Sequence, residues 1–363
     1  KANPECFALF GGKRETNPAK PCLSSPKLFD ENVRYVRAMF DIYREPMVSV
    51  MPEDGYASLC QCELCRGKGT PERGWEGQIS DYVWDYVDRV GREVLKTHPD
   101  RRIHCLAYGA YLAPPTKIEK LSPNVVVGIA QHRAGFFDPK ERRQHEQLRA
   151  EWLKKSSQPL YMWDYYLHTR SGHTWEFMPM YFPRAIAADL KSLKGRSRGD
   201  FIEVYREPAG VKLLATTHLN LYVTTRYWWD ADQDIDALLA DYYGKFYGPA
   251  ADAMRDFIEY SEANWMKLRE QPTLIDGVFS RMAKAQAAAP ADTIYARRVA
   301  LIADYIAPLK ELREQFERKR QNVPHVQLLT NDGSALTPAL CAALQARGHR
   351  VAVLTMPESL VRP

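Results

Sequence analysis

The segment 159-PLYMWDYYLHTRSGHTWEFMPMYFPRAIAADLKSLKGRSRGDFIEVY-205 decides how the rest of the chain is read. It opens on a short apolar run, 159–166, that ends in acidic and aromatic residues, and it closes on a second such run, 199–205. Between them, 183-PRAIAADLKSLK-194 carries apolar residues at helical spacing. Two short strands joined through a helix can only run parallel, in a sheet covered by its crossover helices.

The same alternation extends upstream. Ser25 caps a predicted helix that starts at Pro26 and keeps Leu28, Val33, Val36, Met39 and Phe40 near one face up to Arg44. A buried strand, 47-MVSVM-51, stops at Pro52. A helix follows over about 79–98, with Val83, Val87, Val90 and Val94 on one face. Strands are predicted at 102–110 and 124–131, separated by the Pro114-Pro115 break, and a charged helix at 139–155. Downstream, 211–229 reads as a long helix. Five strands are clear between 47 and 205, and 6-CFALF-10 is a candidate sixth.

A doubly wound sheet announces itself by a glycine-rich phosphate turn after its first strand, and none is present. The expectation is therefore an α/β fold of (β/α)₈ TIM-barrel type, N-terminally truncated, its earliest strands lying upstream of residue 1. Chemistry in such a barrel sits at the C-terminal ends of the strands. The chain opens without an initiator Met or a signal peptide and reads as an excerpt of a longer protein. Residues 1–232 are assigned to the barrel portion, 233–322 to a helical region packed on it, and 323–363 to a β-α-β fragment of separate character.

A 45 % hydrophobic content supports a substantial core. The net charge of +5 is mild and the basic residues are scattered, which argues against a nucleic-acid partner. No apolar run reaches the ~18 residues of a membrane span. Neither a G-x-S-x-G elbow nor a phosphate loop is present, so acyl and phosphoryl transfer have no support.

The acids at strand ends are Glu53 and Asp54, Asp164, and Glu203, with Glu207 close behind. A single acid after a strand is usually a helix cap or a solvated loop residue. Three strands that each deliver one to the same mouth point instead to acid/base work such as glycoside hydrolysis. In the pair Glu53-Asp54, one carboxylate can face the leaving group and the other the sugar's 2-substituent. Mutual repulsion within such a pair also favours keeping one of them protonated. Around these acids, Trp163, Tyr165, Tyr108 and Tyr111 are candidate walls for sugar rings, against the plainer reading of core aromatics with polar tips. His132, just past a strand end, is a candidate contact to a sugar hydroxyl.

Six residues past the acid pair come Cys60, Cys62 and Cys65 at C-x-C-x-x-C spacing. They offer three thiolates to zinc, and tetrahedral zinc wants a fourth ligand that Cys22 or a distant His would supply. A disulfide, a structural zinc site and free thiols all remain open on spacing alone. Seven cysteines in total do not form a disulfide framework in a chain of this size, and no cofactor is assigned.

Several strings, 6-CFALFGGKR-14, 48-VSVMPEDGYASLCQCELC-65, 103-IHCLAYGAY-111, 160-LYMWDYY-166, 219-LNLYVTTRYWWD-230 and 246-FYGPAA-251, together resemble the bacterial domain of unknown function 4838 over about residues 4–260. That resemblance implies a TIM-barrel glycoside hydrolase related to family 163, whose known activity is that of an endo-β-N-acetylglucosaminidase on complex N-glycans. It implies retaining, substrate-assisted hydrolysis at a 2-acetamido sugar, an oligosaccharide or glycoprotein glycan as partner, and a secreted, periplasmic or cell-surface location. Pro52-Glu53-Asp54-Gly55 matches the family's Pro-Asn-Asp-Gly with Glu53 in place of the amide. Glu203 matches a Glu-Gln-Gly-like segment whose Gln-Gly is replaced by Val204-Tyr205. Asp54 and Glu53 are thus the expected catalytic pair, with Asp164 and Glu203 holding the sugar. The alternative is a glycan-binding barrel without catalysis.

Overall fold

The computed structural model describes residues 3–17, 19–166, 177–203, 208–321, 326–331, 336–347 and 350–355. The first two strands, β1 (Leu9–Phe10) and β2 (Lys13–Arg14), form a small antiparallel hairpin of their own. The helix α1 (Pro26–Ile42) follows, with the Ser25 hydroxyl accepting from the Leu28 amide at 3.3 Å, as the Ser-Pro start predicts.

Next come β3 (Met47–Ser49), α2 (Ser80–Leu95), β4 (Arg102–Ala107), β5 (Val125–Gln131), α3 (Pro139–Lys155), β6 (Leu160–Tyr165), α4 (Pro183–Ser192) and β7 (Ser197–Glu203). Strands β3 to β7 pair in sequence order, every pair parallel. This corrects the expectation of a (β/α)₈ barrel: among the described residues the sheet is a five-stranded half-barrel, with β3 and β7 as its two edges. The candidate sixth strand at 6–10 does not join it, because Leu9–Phe10 pairs with Lys13–Arg14 instead.

The helix face of the sheet is dry. Val48, Ile103, Cys105, Val125, Val127, Ile129, Leu160 and Met162 pack with Val33, Val36 and Phe40 of α1 and with Val83, Val87, Val90 and Val94 of α2. These are the apolar positions that helical spacing picks out. Strand β6 alternates buried and half-buried along its length, the signature of a sheet with one face covered and one open.

Beyond the sheet, α5 (Pro208–Trp229) leads into α6 (Ile235–Tyr247), α7 (Ala251–Asn264), α8 (Leu274–Ala288), α9 (Ile294–Ile306) and α10 (Leu309–Gln321). Side chains from α6 to α9 share one hydrophobic core with α4, α5 and Tyr166 at the end of β6. Arg184 on α4 clamps Glu262 on α7 at 2.7 Å. The last described elements, β8 (Val326–Asn331), α11 (Leu336–Ala346) and β9 (Arg350–Thr355), form a parallel β-α-β unit.

Candidate functional site

Successive residues of a strand point to opposite faces, so each strand-end acid has its direction fixed by its place in the alternation. On β6, Tyr161, Trp163 and Tyr165 face the open side and Met162 and Asp164 the helices. The register places Trp163 beside Phe201 and Tyr165 beside Glu203. Accordingly the Trp163 and Phe201 rings lie 4.2 Å apart, and Trp163 Nε1 donates to Glu203 Oε2 at 3.2 Å. On β4, His104 meets Tyr161 edge-on at 5.4 Å across Gly128 of β5. A Cβ at Gly128 would come within 3.0 Å of His104, Leu106 and Tyr161, so glycine is what lets these three side chains close over that strand.

The acid pair arrives from the edge. Past β3, the Val50 amide still donates to the His104 carbonyl at 2.9 Å, and Pro52 then ends the pairing. Gly55 has φ +74°, a conformation that favours glycine, and the Tyr56 amide donates back to the Glu53 carbonyl at 3.2 Å. The Pro-Glu-Asp-Gly string is therefore a tight turn that holds two adjacent carboxylates differently. Asp54 is exposed, whereas both Glu53 oxygens are shielded from solvent and have no hydrogen-bond partner among the described residues.

Burial pushes the Glu53 carboxyl above its usual range. The sequence pattern pointed to repulsion by Asp54 as the cause; desolvation does it instead. The Tyr108 hydroxyl is likewise raised, first by burial and then by the Asp54 carboxylate, with a smaller effect from Glu203. Tyr165 is raised by burial, then by Tyr108, Glu203, Asp54 and, least, by Asp164 behind the strand. Asp54 and Glu203, from opposite edges of the sheet, thus both act on the same two tyrosines. His132 stacks on Tyr165 with centroids 4.8 Å apart.

Two candidates lie elsewhere. Tyr111 is fully buried in the core behind β4 and offers no wall to a ligand. Asp164 is fully buried on the helix face, where it accepts from Gln131 Nε2 at 2.8 Å and from the Arg133 amide at 3.2 Å, with Arg133 Nη1 at 3.4 Å. The same Arg133 meets Asp189 at 2.6 Å and Asp200 at 3.0 Å, and Arg149 meets Asp189 at 2.6 Å. Asp164 belongs to this enclosed ionic network and not to the open face. Glu207 lies outside the described residues. Phe201 and Tyr161 belong to the open face and were missed; the alternation that carries Glu203 and Trp163 there carries them as well. The cleft of about 640 Å³ beside α3, lined in part by Glu76, Asp138, His145 and Glu151, includes none of these residues.

Next to the acid turn, Cys22, Cys60, Cys62 and Cys65 are all buried, with their sulfurs within 4.8 Å of one another. The four form a cluster that can bind a metal. The hydrogen bond between Cys22 and Cys65 raises the Cys22 thiol and pulls the Cys65 thiol down to about 4. Burial raises Cys60 as well.

The fold and site together define a parallel α/β half-barrel protein with acids and aromatics gathered on the open face of its sheet. Residues 1–259 match the model of a domain of unknown function, DUF4838, and the chain belongs to that family. No curated protein matches it. Among the described residues no helix is long and apolar enough to cross a membrane.

Proposed function

We propose that the protein is a glycoside hydrolase acting on β-linked N-acetylhexosamine, N-acetylglucosamine above all, in oligosaccharides or glycoprotein glycans. It would work as a secreted, periplasmic or surface-attached enzyme. The observation that carries this reading is the aromatic strip of Trp163 and Phe201 on the open face, with Glu203 held against Trp163 and the Glu53-Asp54 turn at the same end of the parallel sheet. Flat rings beside carboxylates suit a pyranose, whose axial C–H faces stack while its hydroxyls take hydrogen bonds. The resemblance to the endo-β-N-acetylglucosaminidases of family 163 narrows the sugar to one with a 2-acetamido group.

In a substrate-assisted reaction the acetamido oxygen attacks the anomeric carbon while an acid protonates the departing oxygen; water then opens the intermediate with retention. Glu53 suits the proton donor, because burial keeps its carboxyl protonated to higher pH than an exposed glutamate. The motion that admits substrate must also uncover its shielded oxygens. Exposed Asp54 suits the partner that orients the acetamido group. Glu203, held by Trp163 Nε1, suits a sugar-hydroxyl contact, with His132 beside it.

The test is release of aryl alcohol or glycan from 2-acetamido substrates by the full-length protein, compared with Asp54→Asn. Turnover should fall by about two orders of magnitude or more. Unchanged turnover removes Asp54 from the mechanism. A second reading, a glycan-binding protein without catalysis, is favoured by the openness of the face, where Phe201 is 43 % exposed. Calorimetric binding of a glycan that is never cleaved, lost in Trp163→Ala, would decide for it.

A further inference from the structure

We propose that Cys22, Cys60, Cys62 and Cys65 form a tetrahedral zinc site that pins the N-terminal hairpin, the start of α1 and the loop after the acid turn into one unit.

Four sulfurs around zinc at about 2.3 Å lie about 3.8 Å apart along each edge of the tetrahedron. Here Cys22 to Cys62, Cys22 to Cys65 and Cys62 to Cys65 are each 3.6 Å, so one triangular face of such a tetrahedron is already formed. Cys60 completes the group within the same 4.8 Å span. A disulfide needs its sulfurs near 2.05 Å, which none of these three separations approaches. All four residues are at most 8 % exposed, so the site is closed, as structural rather than catalytic zinc sites are.

The surroundings suit thiolates. The Leu9 amide donates to Cys60 Sγ at 3.2 Å, and the Tyr82 hydroxyl lies 3.2 Å from Cys65 Sγ. Such donors around ligating sulfurs orient them and moderate their charge. Four buried thiolates without a cation would repel one another, and one divalent ion leaves a net charge of −2 spread over a hydrogen-bonded shell. Thiolate donors in tetrahedral array select zinc or iron over harder ions.

The ligands come from two places in the chain. Cys22 lies just before α1, while Cys60, Cys62 and Cys65 lie in the loop after Asp54. Around them the Gln61 amide donates to Leu9 O at 2.8 Å, the Cys22 amide to Cys6 O at 2.9 Å, and the Tyr56 hydroxyl to Pro21 O at 3.1 Å. Zinc would lock this junction, and Tyr56 would pass the constraint to the turn that carries Glu53 and Asp54. The metal role needs no glycosidase activity to be true.

The experiment is elemental analysis of the full chain purified under reducing conditions, with release of metal followed by a chromogenic chelator as a mercurial titrates the thiols. One zinc per chain is expected, released as four cysteines react. Cys65→Ser should lose it, and Cys6→Ser, outside the group, should keep it. Should Cys65→Ser fail to fold, the wild-type chain still decides. Stripping it should lower its melting temperature, zinc should restore it, and cobalt should give the visible absorption of a tetrahedral thiolate complex. Absence of metal with four freely reactive thiols, a disulfide within the group, or iron in place of zinc would each overturn the assignment.

Discussion

Asp164→Asn separates a structural brace from a sugar contact. Three carboxylates, Asp164, Asp189 and Asp200, share the enclosed network with two guanidinium groups, Arg133 and Arg149. With every group ionised the network keeps one uncompensated negative charge, and the carboxylates resolve this unequally. Burial acts on Asp189 too, but Arg149 and Arg133 overcome it and hold that carboxyl at about 2. Asp164 has Arg133 only at 3.4 Å, so burial wins and pushes it up from 3.8 to about 6. Across the window between those two values the folded protein holds a proton that the unfolded chain has released. The stabilisation from Asp164 is therefore complete below the lower value and is lost as pH rises through the upper one. The displacement corresponds to about 3 kcal/mol. Asparagine does not titrate, so the stability difference between wild type and Asp164→Asn should change by most of that amount from about pH 4 to 7.5, the variant faring relatively better at the alkaline end. Urea unfolding followed by tryptophan fluorescence measures it, since titrating groups outside the network are common to both proteins and cancel. Asp189 shifts the opposite way, and its contribution is lost as pH falls from 3.8 through about 2, mostly outside the window. A difference that stays flat with pH would refute the reasoning, and altered glycan affinity at constant stability would return Asp164 to the binding face.

Glu53→Gln removes a carboxyl that burial raises. The wild-type chain should therefore lose more melting temperature between acid and mildly alkaline pH than the variant does, and the variant should lose glycosidase turnover. A pH profile of melting identical in the two proteins would show that the Glu53 oxygens are solvated after all. Gly91, in α2, faces β5 so closely that a Cβ would sit 2.8 Å from Val125 Cγ2. Gly91→Ala should cost about 1–3 kcal/mol by overpacking, offset by the ~1 kcal/mol that alanine gains over glycine within a helix, for a net loss of up to about 2 kcal/mol. Chemical denaturation reads the sign, and a more stable variant would mean that α2 can lift off the sheet.

Local pattern was enough for the elements. The charged helix at 139–155 and the Ser25-capped helix from Pro26 follow from spacing and caps, because those forces act within a few residues. Closure of the sheet was not legible, since no strand's own sequence says whether a further strand pairs with its edge. Cys22 could only be named as one option among distant ligands, because the fold carries it across 40 residues to Cys62. The acids are more instructive. Taking them by nearness to a strand's end put Asp164 beside Glu203, yet the two face opposite sides of the sheet. Position within the alternation sorts them correctly. Glu203 shares its face with Phe201, and Tyr165 beside it shares its face with Trp163. Asp164 and Asp200, each one residue out of step with those aromatics, both turn inward to Arg133. Gln131, paired in register with Asp164, turns inward too and donates to it. For a sheet with helices on one side only, an acid's parity relative to half-buried aromatics is therefore a better guide to the open face than its distance from the end of the strand.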